Sequence, residues 1–272
     1  MSGGLDLSDA LAFYANDYFE ARERFRDAAR RLGATLHSHS LSAEGPQRER
    51  LWIDAAVLGP ADSPAALILS SGVHGVEAVF GSAAILAWLA KWEQFVPVGL
   101  RVVLLHCLNP FGQVYGRRVN EDNIDLNRNF LRPEETYAGG PPLYGCIDRY
   151  LNPKKTPAKW DGWLLTAGIL ATRYGKKQLA ETIPVGQYEY PKGLFFGGHA
   201  PAESTRYVQR WLGEFIGGAQ TALHVDLHTG LGKRGQIGLY SDRYGDDPLC
   251  AWFEPWRSLT HFRAAPQPAR PH

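Results

Sequence analysis

Three short segments of this sequence combine side chains able to bind a metal ion or a carboxylate. The first is Gly72-Val73-His74-Gly75-Val76-Glu77, where an apolar run gives way to a helical pattern. Histidine nitrogen and carboxylate oxygen are both zinc donors, and a Glu three residues after a His can point back at the imidazole from a helix's first turn. The same residues also read as a turn histidine and an acid that compensates the helix dipole. The second segment is Leu223-His224-Val225-Asp226-Leu227-His228-Thr229-Gly230. His224, Asp226 and His228 alternate and share one face of a strand. Either histidine completes a His-Glu-His set that leaves a position open for water, as catalytic zinc sites do. Spacing does not choose between them, but His228 stands at the strand end and His224 reads as a core histidine. Asp226 is either a hydrogen-bond acceptor behind a ligand or another buried polar group. The third segment runs through Asn109-Pro110-Phe111-Gly112, Arg117-Arg118-Val119-Asn120 and Asp125-Leu126-Asn127-Arg128-Asn129-Phe130. Arginine grips carboxylates with two parallel hydrogen bonds, although Asn and Asp here also suit a solvated loop.

The elements that must position these residues follow from the apolar spacing. Residues 8–31 alternate apolar and charged positions at helical spacing, with Ser8 as N-cap and Gly33 as stop. Residues 51–58, Ala65–Ser71, Leu100–His106, Thr221–Leu227 and 236–241 read as strands, with helices over 76–92 and 203–216. Strand, helix and strand in about 40 residues predict a βαβ crossover. The expected fold is therefore α/β, with a mixed, mostly parallel central sheet flanked by helices. Ligands bind outside the carboxyl ends of such strands, where all three segments fall. Residues 131–201 are rich in Pro, Gly, Tyr and Trp, with a helix only over 160–177, and read as an irregular aromatic-rich insertion or lid. One domain over 1–254 and an irregular tail over 255–272 complete the expectation.

Composition sets the outer limits. The chain has 272 residues, a net charge of +1, 44% apolar and 21% charged residues. That balance argues against a nucleic-acid partner or a polybasic membrane surface. No apolar run reaches the roughly 18 residues of a membrane span, and the first ten residues lack a signal-peptide pattern. Cys107, Cys146 and Cys250 are few and far apart, as in a reduced, cytoplasmic protein. Ser70-Ser71-Gly72 lacks the Gly-x-Ser-x-Gly elbow of a serine hydrolase, and no nucleotide-binding fingerprint is present.

HGVE, NPFG, RRVN, DLNRNF and DLHTG, in that order over about residues 50–245, resemble the M14-type zinc carboxypeptidases and their succinylglutamate desuccinylase and aspartoacylase relatives. The GLFFGG and DLHTG segments look closest to a bacterial branch known mainly as a domain of unknown function. The resemblance implies that His74, Glu77 and His228 hold zinc. It implies that Arg118, seven residues before Asp125, polarises a scissile carbonyl, and that Asn127 and Arg128 clamp a substrate carboxylate. Asp125 would orient the first histidine, and Thr229 would contribute contacts beside the third ligand. The implied activity is zinc-dependent hydrolysis of an amide bond next to a free carboxylate. The substrate would be a peptide or an N-acyl amino acid. Tyr137, Tyr144, Trp160, Trp163, Phe195 and Phe196 would either cap the site in favour of small substrates or pack as a satellite.

The family's general-base glutamate lies well downstream of the third histidine. Only 44 residues follow His228 here, with Asp242, Asp246, Asp247 and Glu254 as their acids. Glu254, in CAWFEPW, is the candidate base, although its surroundings read as a core-packing helix. The Arg/Pro/Ala-rich end reads as a chain cut short, or shifted in frame, before the last strand. The expected consequence is a zinc site with slow turnover, and the alternative is a non-catalytic zinc-binding or ligand-binding member of the fold.

Overall fold

The structure is a computed structural model that describes residues 7–92, 99–154, 158, 161–233, 235–241 and 261–264. Its elements in chain order are α1 (Leu7–Leu11), α2 (Tyr18–Arg31), β1 (Thr35–Glu44), β2 (Arg50–Leu58), β3 (Ala65–Ser71), α3 (Ala78–Trp92), β4 (Leu100–His106), α4 (Pro110–Val114), α5 (Pro142–Leu151), α6 (Trp163–Tyr174), α7 (Lys176–Thr182), α8 (Glu203–Phe215), β5 (Thr221–Leu227), β6 (Gly238–Ser241) and β7 (His261–Ala264). They fall into two compact units, one of residues 1–138 and 196–229, the other of 139–195 and 230–272. Among the described residues no helix is long and apolar enough to cross a membrane.

The first unit holds the five-stranded sheet, in the order β1-β2-β4-β3-β5. Strands β3, β4 and β5 run parallel, β2 runs antiparallel to β4, and β1 antiparallel to β2. Four strands therefore point one way, so the mixed sheet is mostly parallel in direction. Period-two alternation divides its side chains between two layers. Leu58, Leu69 and Leu104 pack against Phe25 of α2 and Ile85, Leu86 and Leu89 of α3. Ile53, Ile68, Val103 and Leu105 pack on the opposite face against Val208, Trp211 and Phe215 of α8. The path from β3 through α3 leads to β4 on one side, and the chain returns through α8 to β5 on the other. The strand order thus reverses at β3, and the carboxyl ends of β3 and β5 lie side by side.

Two features differ from expectation in this unit. The first helix breaks into α1 and α2, so Ser8 lies inside α1 and the cap of the long helix is Asp17. Asp17 accepts from the Glu20 N–H at 2.8 Å while Glu20 accepts from the Asn16 N–H at 2.9 Å, a reciprocal cap that starts a helix in mid-pattern. The second is β1, unanticipated because its polar run His37-Ser38-His39-Ser40 and the irregular register between Ser40 and Glu44 hide the alternation.

The second unit carries α5, α6 and α7, and the parallel pair β6–β7. The helix expected over 160–177 forms as α6 followed by α7, separated at Gly175 with φ +81°. α5 was masked in the sequence by the Gly-Gly-Pro-Pro that precedes it, although Pro suits the first turn of a helix. β7 lies within the stretch read as an irregular tail.

Asp54 on β2 fastens α2 to the sheet. It is fully buried, pairs with Arg22 at 2.6 Å and with Arg26, and accepts from Ser38. Removing one member of such a group strands the others. Asp54→Ala is expected to cost about 3 kcal/mol in chemical denaturation; an unchanged midpoint would show that the pairing contributes nothing net.

Candidate metal centre

Strand β3 ends at Ser71, directly opposite Leu227, the last residue of β5. His74 and His228 therefore leave neighbouring strand ends. After Gly72, with φ +71°, the chain makes a 3₁₀ turn over Gly75–Glu77 and enters α3. This turn is laced to the loops that follow β4. The Gly75 N–H donates to Arg118 O at 3.2 Å and the Val76 N–H to Arg117 O at 3.1 Å. A Cβ on Gly75 would sit 2.1 Å from the Gly112 carbonyl carbon, so the His-Gly and Asn-Pro-x-Gly segments need glycine where their backbones touch. Asn109 caps α4 by accepting from the Gly112 N–H at 2.7 Å, and its Nδ2 donates to Arg118 O at 3.1 Å.

Glu77 is the meeting point. Its Oε1 lies 2.8 Å from His74 Nδ1, and its Oε2 lies 3.0 Å from His228 Nδ1 and accepts from the Thr229 N–H at 2.8 Å. Ligand atoms of His74, Glu77 and His228 all fall within 4.8 Å of one another. Donors on a tetrahedral zinc with bonds of about 2.05 Å stand roughly 3.3 Å apart, so small movements suffice to admit the ion. The donor set, two imidazoles and one carboxylate, is also one that zinc accepts.

Each imidazole has a carboxylate behind its outer nitrogen. His74 Nε2 lies 3.2 Å from Asp125 Oδ1, and His228 Nε2 lies 2.6 Å from Asp226 Oδ2. Carboxylates only accept, so in the metal-free site each ring donates from both nitrogens as an imidazolium. Loss of the Nδ1 protons, with the Nε2 protons kept by Asp125 and Asp226, would turn both Nδ1 lone pairs to the centre. Asp125 is fully buried; it also caps the 3₁₀ turn Leu126–Arg128 by accepting from the Asn127 N–H at 3.0 Å, and takes the Arg118 Nε–H at 3.1 Å.

These contacts set the protonation of the metal-free site. Burial works against the Glu77 carboxylate, yet hydrogen bonds from His228, His74 and Thr229 hold it well below the usual range. Burial opposes Asp125 too, but the His74 hydrogen bond and Arg118 bring it down to about 2. Burial disfavours the His228 cation, but Asp226 and Glu77 outweigh it and push the ring up to about 9. His74 is raised in the same way, with burial outweighed by Asp125 and Glu77.

The structure brings Arg118 to the centre, 3.7 Å from Glu77 Oε1, with its side chain 38% exposed. Asn127 and Arg128 occupy the 3₁₀ turn that Asp125 caps, where the Arg128 N–H donates to Asp125 O at 2.8 Å. Glu254 lies outside the described residues. Sequence reasoning gave no role to Asn129, which is fully buried. It donates to Gly197 O and Ala200 O and accepts from the Ala202 N–H and Thr205 Oγ, tying the Asp125 turn to the start of α8. A buried Asn inside a matched motif was the available signal.

The pH dependence of metal-free stability follows from these shifts. Asp125 lies below its ordinary 3.8 when folded, so its contribution is complete above that value and lost as pH falls toward 2. His228 lies above its ordinary 6.5, so its contribution is complete below 6.5 and lost as pH rises through about 9. In chelator, Tm is expected to decline on both sides, with Asp125→Asn flattening the acid limb and His228→Gln the alkaline one. Parallel profiles for variants and wild type would contradict these assignments.

No curated protein sequence is significantly similar to the chain. Among solved structures, bovine thrombin-activatable fibrinolysis inhibitor, determined with tick carboxypeptidase inhibitor, is 12% identical with a TM-score of 0.49, covering 93% of this chain and 76% of that one. The murein-tripeptide amidase MpaA of Escherichia coli O157 is 18% identical with a TM-score of 0.38, covering 84% and 73%. A Shewanella frigidimarina protein assigned as a succinylglutamate desuccinylase/aspartoacylase is 17% identical with a TM-score of 0.39; the alignment covers 76% of this chain but only 48% of that one. The family model described as a protein of unknown function (DUF2817) matches residues 14–263. The match spans most of the sequence, and the chain belongs to that family.

Proposed function

We propose that this protein is a zinc-dependent hydrolase that cleaves an amide bond next to a free carboxylate, as a carboxypeptidase or an N-acyl amino acid deacylase. The observation that carries the reading is the convergence of His74 Nδ1, Glu77 and His228 Nδ1, each imidazole backed by its own carboxylate. These three residues would hold the ion. When bound, zinc supplies Lewis acidity to a scissile carbonyl and lowers the pKa of water.

The chain's own residues supply the rest. Asp125 and Asp226 keep the two imidazoles in the orientation that offers Nδ1. Arg118, half-exposed and next to Glu77, stabilises negative charge developing on the carbonyl oxygen. Asn127 and Arg128 bind the substrate's free carboxylate and so fix which amide bond is presented. Holding the substrate in that register converts binding into orientation.

Proton transfer separates this reading from a binding-only one. Glu77, Asp125 and Asp226 are each engaged by a histidine, and Glu77 and Asp125 are strongly acidic, so they are poorly suited to take a proton. Among the described residues these carboxylates are thus committed, so Glu254 is the candidate base, and a non-catalytic zinc-binding protein is the second reading.

Metal analysis of purified protein, with hydrolysis assays on C-terminal peptides and N-acyl amino acids, tests both. About one zinc per chain is expected for wild type, with zinc and hydrolysis lost in His74→Ala. Arg118→Ala should retain the zinc and lose about 10²–10³ in kcat. Arg128→Ala should raise KM for free carboxylates and abolish discrimination against their amides. Zinc without hydrolysis of any substrate would favour the binding protein, and a folded, zinc-free wild type would contradict both readings.

A further inference from the structure

The hydrogen-bond network around the centre does not end at its two carboxylates. Ser70 lies on β3, one residue before the strand end, and is 1% exposed. In the parallel register of β3 and β5 it stands opposite Asp226, with Ile68 opposite His224. Ser70 Oγ lies 2.6 Å from Asp226 Oδ1 and 2.7 Å from His224 Nε2.

Donor counting gives this chain a direction. A serine hydroxyl has one proton, and a carboxylate can only accept. The Ser70 proton therefore goes to Asp226 Oδ1, and Ser70 accepts from His224 Nε2–H. On its far oxygen Asp226 accepts from His228 Nε2–H at 2.6 Å. The order is His224 to Ser70 to Asp226, with His228 donating to the same carboxylate from the other side. A cross-strand serine thus decides how Asp226 is turned, and Asp226 decides which nitrogen of His228 is open.

The two halves of the centre are anchored differently. Asp125, behind His74, is fully buried and held by Arg118 and by the backbone turn it caps. Asp226 is 27% exposed on the outermost strand of the five-stranded sheet. Its side-chain hydrogen bonds among the described residues go to His228 and Ser70.

We propose that Ser70, steadied by His224, is a positioning residue for the metal centre: it holds Asp226 so that His228 presents Nδ1 to the ion. The inference rests on the zinc reading above and extends it to two residues in the sheet. It also gives His224, the histidine that is not a ligand, a use in the same site.

Competition with a chelator of known affinity measures the zinc Kd of wild type, Ser70→Ala, Ser70→Thr and His224→Ala. Nitrogen-15 histidine spectra of the zinc-loaded proteins report each ring's tautomer. The expected result is a Kd about 10–100-fold weaker for Ser70→Ala. His224→Ala should shift in the same direction, and Ser70→Thr, which keeps the hydroxyl, should stay near wild type. The spectra should show His228 perturbed and His74 unchanged. Zinc binding by wild type with equal affinity in Ser70→Ala and His224→Ala would overturn this inference alone. Equal perturbation of both ligand histidines would overturn it as general destabilisation. Should Ser70→Ala fail to fold, His224→Ala decides by the same criteria. No zinc binding by wild type would overturn the metal reading and this inference with it.

Discussion

One carboxylate organises the site. Glu77 takes a nitrogen from His74, a nitrogen from His228 and a backbone N–H from Thr229, and it is largely buried while doing so. Burying a charged group is expensive unless its hydrogen-bonding positions are filled. The metal-free arrangement satisfies Glu77 with protons that a cation would replace. The same groups therefore form a stable hydrogen-bonded cluster and, under the proposed zinc reading, would serve as the ligand set with little rearrangement between the two.

The sheet exists in the form this carboxylate requires. Glu77 and His74 follow β3 and His228 follows β5, and these strands pair in a register that ends both at the same level. That pairing arises only because the chain leaves β3 toward β4 and comes back to its other side. The close contact of Gly75 with Gly112 then presses the His74 turn onto the loop that leads to Arg118 and Asp125. Packing of α2 and α3 on one face and α8 on the other fixes those strands, so the site inherits its precision from the core.

The sequence was most readable where chemistry and backbone geometry coincide. His-Gly-x-Glu, Asn-Pro-x-Gly and Asp-x-His each combine a functional side chain with a strand end or an obligatory glycine, and the four long apolar strands announced themselves by length and flanking turns. The choice of His228 over His224 rested on position along the strand, and the geometry puts His228 beside Glu77 and His224 beside Ser70. What stayed hidden was non-local. β1 has too few apolar residues to show a period and is held by its pairing with β2. Asp54 and its two arginines look like ordinary surface charges until α2 is laid against β2. Ser70 sits in an apolar strand like any small residue, and only its cross-strand register with Asp226 gives it a role. Asp17 outcompetes Ser8 as a cap through a contact between Glu20 and Asn16 that spacing alone does not rank.

The central claim is that two imidazole nitrogens and a carboxylate, with no sulfur, form the protein's part of a zinc site. X-ray absorption spectroscopy at the zinc edge of the stoichiometrically loaded protein tests it directly. The account predicts a first shell of nitrogen and oxygen only, at about 2.0–2.1 Å, with outer-shell scattering from two imidazole rings. A sulfur scatterer near about 2.3 Å, or scattering from fewer than two imidazoles, would contradict it.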